Sequence, residues 1–106
     1  MIIRTAQFMG TVASGDQTKF NETVDQKVLP ILRQLPKILQ AEVLRPITSD
    51  PGAPALYQVL QLRFPNVAAM EEALESPNRA KVHEIMSEVL PLFEGEIFHY
   101  VSHVAE

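Results

Sequence analysis

ALYQVLQLRF, residues 55–64, is the stretch on which the fold turns. Read as a strand, its side chains alternate between two faces. Leu56, Leu60, Leu62 and Phe64 share one face; Tyr57, Val59, Gln61 and Arg63 share the other. The first face is apolar and belongs against helices. The second is mixed and suits a surface that meets water, a ligand or another subunit. The stretch therefore predicts a sheet covered on one side only.

Its flanks supply the rest of the pattern. SDPGAP, residues 49–54, is dense turn punctuation, and KILQAEVLRPI, residues 37–47, reads as the strand before it. Further upstream lies FNETVDQKVLPILRQLP, residues 20–36. Phe20, Val24, Val28, Ile31 and Leu35 recur there at steps of four and three, one apolar helical face. Asp16 or Thr18 can cap this helix. Pro30 lacks a backbone donor and frees the Gln26 carbonyl, which predicts a kink or break; Pro36 ends the helix. IIRTAQFMGTV, residues 2–12, reads as the first strand, with a polar turn around Gly10 and Gly15.

Downstream, Asn66 can cap a helix over VAAMEEALE, with Val67, Met70 and Leu74 on its apolar side and Glu71, Glu72 and Glu75 on a solvated one. Ser76-Pro77 restarts a helix, serine as cap and proline at the first helical position. Val82, Ile85, Met86, Val89, Leu90 and Phe93 form its buried stripe. Gly95 stops the run, and EIFHYVSHV, residues 96–104, reads as the last strand.

The order β-α-β-β-α-β predicts an α+β, ferredoxin-like sandwich: a single domain over residues 1–106, with an antiparallel four-stranded sheet and helices on one face. The bare face would be covered by a second copy, giving a homodimeric α/β barrel.

Composition agrees. The 106 residues are 46% hydrophobic and 21% charged, enough apolar material for one core. A chain this short buries only roughly 60–70% of its unfolded surface, so it gains from a partner subunit. The net charge of -4, with scattered Lys and Arg, argues against nucleic acid as partner. The absence of cysteine rules out disulfides, thiolate catalysis and cysteine metal ligation, and suits a reducing cytoplasm, the expected location. MIIRTAQFMG is too short an apolar start for a signal peptide, and no 18-residue apolar run predicts a membrane span.

Taken together, the element order, FNETVDQKVLPILRQLP, YQVLQLRF followed by NVAAMEEALESP, and the strand after FEGE resemble the dimeric α/β barrel proteins, most closely the EthD-like group. In that resemblance Phe20 matches the family's aromatic residue and Pro30 its proline, while Val28 stands where the family has a histidine. An isopropyl group neither carries a proton nor donates a hydrogen bond. The superfamily includes cofactor-independent monooxygenases, isomerases and haem proteins, and the EthD-like group is linked to degradation of ethers or aromatic compounds. The resemblance thus implies a small apolar or aromatic ligand between helices and sheet, without fixing a reaction.

The residues themselves offer few chemical groups. Three histidines have ordinary pKa values near neutrality. His99 and His103 share a face of the last strand but lie about 13 Å apart, too far to hold one metal ion. His99, mid-strand, is the candidate catalytic acid/base; His103 reads as an exposed or dimer-contact residue, and His83 as half-solvated. A lone histidine is a weak haem signal, and no cofactor or metal is expected. Tyr57 reads as structural. Arg79 reads as half of a surface ion pair; Arg63, on the open sheet face, would need a carboxylate, Glu42 or one from the other chain. Val24, Val28, Leu60 and Met86 are expected to line a ligand pocket, with His99 as its polar group. A non-catalytic ligand carrier or structural dimerisation module is the alternative.

Overall fold

The structure, a computed structural model, describes residues 1–105. Four strands form one antiparallel sheet in the spatial order β2-β3-β1-β4: β1 Ile2–Val12, β2 Gln40–Leu44, β3 Leu56–Phe64 and β4 Phe93–His103. Between β1 and β2 run α1, Gln17–Thr23, a π-helical segment, Val24–Val28, and α2, Leu29–Leu32. Between β3 and β4 run α3, Val67–Leu74, and α4, Pro77–Met86. The fold is α+β and ferredoxin-like, as the element order requires.

Phe20 and Phe64, both fully buried, anchor two adjoining apolar clusters between helices and sheet. Phe20 meets Tyr57 edge-on at 5.4 Å between ring centroids and Phe8 at 6.3 Å. These rings fix where the first helix crosses the sheet. Pro30 has the predicted consequence in a softer form. The Leu29 N–H donates to the Val24 carbonyl, five residues back, so the helix widens into a π turn just before the proline instead of breaking.

Asn66 caps α3, its side-chain oxygen accepting from the Ala69 N–H at 2.9 Å. Asp16 and Ser76 occupy the cap positions of α1 and α4, but neither side chain bonds there, and the Ser76 hydroxyl is buried without a partner among the described residues.

Several expected boundaries and faces shift. The strand expected over residues 37–47 is confined to Gln40–Leu44. Lys37 turns with φ 60° after Pro36, and Pro46 offers no N–H at the other end. Gly10 and Gly95 do not mark turns; they face each other inside the β1–β4 ladder, and β4 starts at Phe93. A Cβ on Gly10 would collide with the Glu94 carbonyl, and one on Gly95 with the Met9 carbonyl. Glycine is needed for this close approach of strands.

A register shift between Phe8 and Met9 pairs Leu56 with Met9 and leaves Tyr57 as the extra residue. Tyr57 consequently packs on Phe20 and donates to Asn21 Oδ1 at 2.6 Å, on the helical side and not the open one. On α3 the buried residues are Ala69, Met70 and Ala73, while Val67 is exposed. Val82, Ile85 and Met86 are only half-buried, Leu90 is exposed, and Val89 alone of the expected α4 stripe is fully buried. No helix is long and apolar enough to cross a membrane among the described residues.

Candidate functional site

Inward positions of β1 are Ile2, Arg4, Ala6 and Phe8; those of β3 are Gln58, Leu60, Leu62 and Phe64. Two of these eight are polar, Arg4 and Gln58. Across the ladder from β1, Ala6 pairs with His99 and Arg4 with Val101. Arg4 and His99 are thus diagonal neighbours on one face, about 7–8 Å apart by backbone geometry. Above them, α4 offers Arg79 and His83, one helical turn apart.

These groups meet around a cavity of about 200 Å³ between the sheet and the helices. Val24 and Val28 of the π segment, Leu60 and Met86 give it an apolar body. Arg4, Arg79, His83 and His99 line it as well, and so does Gln58. All five side chains expected at a pocket line this cavity, Val24, Val28 and Met86 from the helical side and Leu60 and His99 from the sheet. The volume lies below the roughly 300 Å³ of a typical ligand pocket, yet a dry cavity of about 150 Å³ suffices for a benzene ring.

His99 is the titratable group beside the apolar body. His99 is exposed by surface area, yet desolvation of its ring against the cavity, then the guanidinium charges of Arg4 and Arg79, hold its pKa below the ordinary 6.5. His99 is therefore a neutral imidazole at pH 7, able to accept a proton. The Arg4 guanidinium is also pushed down, by burial first and by Arg79 second. The ion pairs among the described residues are Lys37–Glu72 and Arg45–Asp25, so neither Arg4 nor Arg79 has a carboxylate. Arg79 does not form the expected surface ion pair; its Nη1 donates to the Leu74 carbonyl at 3.4 Å.

Gln58 is 1% exposed and held from behind. Arg45 grips both oxygens of Asp25, at 2.9 and 3.0 Å, and donates to Gln58 Oε1 at 3.2 Å. A guanidinium can only donate, so the atom it meets on Gln58 is the oxygen. Sequence reasoning missed Gln58, Arg4 and the role of Arg79. The first two carried a readable signal, a polar residue on the inward, apolar parity of a strand.

Arg63 on the open face makes no ion pair among the described residues; it meets the Met1 sulfur at 3.5 Å, and Glu42 accepts from Gln40 Nε2 at 3.1 Å. His103 is exposed at the end of β4. A wider hollow of about 810 Å³ lies under residues 45–55. Its one charged lining residue is Arg45, which Asp25 already engages.

An α+β fold with a helix-covered sheet and a cavity between the layers places the chain among ferredoxin-like proteins. The sequence matches no protein-family model and no curated protein. Solved structures match over nearly the full length. An EthD family protein from Bacillus halodurans C-125 superposes with a TM-score of 0.74 at 12% identity, covering 99% of this chain and 100% of the other. A candidate antibiotic biosynthesis monooxygenase from Deinococcus radiodurans gives 0.70 at 14% identity, covering 100% and 94%. A dimeric protein of unknown function and ferredoxin-like fold from Bacteroides fragilis NCTC 9343 gives 0.69 at 12% identity, covering 97% and 95%. At these identities the likeness is one of fold alone, the ferredoxin-like fold.

Proposed function

We propose that the protein is a homodimer, closed through the open sheet faces, that holds one small apolar or aromatic molecule per subunit in the cavity between helices and sheet. The observation that carries this reading is the convergence of Val24, Val28, Leu60, Met86 and His99 on one cavity. The open face supports the dimer. Phe98 and Tyr100, 44% and 52% exposed, project from β4 on the side opposite His99. Strands of up to 11 residues at about 3.3 Å, spaced about 4.8 Å, give this face an area on the order of 600 Å², near the roughly 800 Å² per partner of a standard interface.

In this reading His99 removes a proton from the bound molecule. The carbanion formed is reprotonated elsewhere in an isomerisation, or passes electrons to dioxygen in a cofactor-free oxygenation. The apolar residues surround the body of the molecule, and Arg4 and Arg79 offset negative charge on it. Native mass spectrometry of the purified protein should show dimers carrying a small-molecule adduct that His99→Ala loses or weakens; an adduct untouched by that change removes His99 from the site.

One observation favours a second reading, a non-catalytic carrier. Val28, 1% exposed on the cavity wall, stands where the family resemblance places a proton-carrying histidine. A carrier would keep its adduct chemically unchanged through incubation with oxygen.

A further inference from the structure

Among the described residues the polar lining of the cavity is donors and cations, with no acid. The chain has 13 acidic and 9 basic residues, yet among the described residues the lining holds Arg4 and Arg79 and not one carboxylate. Arg4 is half-buried on an inward strand position, where an uncompensated charge is costly. Arg79 faces the same space and adds repulsion to the cost. The Gln58 oxygen already accepts from Arg45, and its amide nitrogen adds a donor to the residues lining the cavity. The remaining lining is aliphatic or aromatic apart from the two imidazoles, with room for about one ring.

Resting on the reading of this cavity as a ligand site, we infer that its occupant is an anion: a single-ring or comparably small apolar acid whose carboxylate lies between Arg4 and Arg79 and whose body lies among Val24, Val28, Leu60 and Met86. The ligand supplies the negative charge that the protein omits. A carboxylate accepts from guanidinium groups with charge-assisted bonds, and its entry relieves the repulsion between the two cations. A neutral aromatic of the same size would fill the volume and leave the cations uncompensated.

Benzoate and benzamide differ in charge and little in shape, and calorimetric titration of the dimer with each separates the two possibilities. Benzoate should bind at least about tenfold more tightly than benzamide, consistent with one net charge-assisted contact. Arg79→Gln, on an exposed helix position and so tolerable to the fold, should erase most of that preference. Lys19→Gln, an equal change in net charge away from the cavity, should preserve it. Arg4→Gln should repeat the Arg79→Gln result if it folds. Equal binding of benzoate and benzamide, or a preference that survives Arg79→Gln, overturns the anion inference while leaving the cavity a ligand site. Binding of neither probe at millimolar concentration overturns both readings.

Discussion

The two middle strands and the β4 edge live in different environments, although one ladder joins them. β1 and β3 carry inward residues as buried as Phe8, Leu62 and Phe64, roofed by the helices. β4 has 11 residues and no buried one; Phe93 and Ile97 are half-buried and the remainder are exposed. It is also an edge strand, with no further strand beside it among the described residues. The difference teaches that one chain completes its core on the β3–β1 side and leaves the β4 side to something else. It also explains where the cavity lies, under the helices but reaching toward β4, where His99 and Ile97 line its wall.

Phe20→Ala removes a fully buried ring that touches Phe8, Tyr57 and Phe93 and should cost about 3–5 kcal/mol in denaturant unfolding. A loss under about 1 kcal/mol would mean the first helix is not anchored there. On the exposed half, Phe98→Asp should leave the subunit folded and weaken the dimer by about 2–4 kcal/mol, read as dissociation on dilution. Gly95→Ala tests the seam between the halves. With a carbonyl in its path, the methyl group should destabilise by about 1–3 kcal/mol, and circular dichroism melts would reveal a neutral outcome.

A smaller effect follows from His99. Its folded pKa is depressed, so the unfolded chain binds the extra proton more readily in the window between that value and about 6.5. Stability should fall as pH is lowered through 6.5 and be independent of His99 above it, with the slope reduced in His99→Gln. A slope unchanged in the variant would assign the titration to another group. The smallest effect is expected at Glu71, on the exposed side of α3, where alanine should change stability by less than about 0.5 kcal/mol.

Much of the architecture was legible because it rests on periodicity. β1, the first helix with its two valines, and the Asn66 cap follow from alternation, three- and four-residue spacing, and side-chain chemistry. What stayed hidden depends on pairing between distant strands. Gly10 and Gly95 look like punctuation until the ladder sets them face to face. Leu56 and Tyr57 exchange faces through a shift that no local pattern announces. The cavity's apolar wall was readable for the same reason as the helices. Its charged end was not, because Arg4, Arg79 and His99 come from three elements brought together only by the sheet order and the α4 crossing.

A second copy of the chain is expected to cover the side of the sheet without helices. Static light scattering on the isolated protein at micromolar concentration tests it directly. The expected particle has twice the 11.9 kDa chain mass and reverts to one chain mass in Phe98→Asp. A wild-type particle of 11.9 kDa, folded and stable alone, would contradict it.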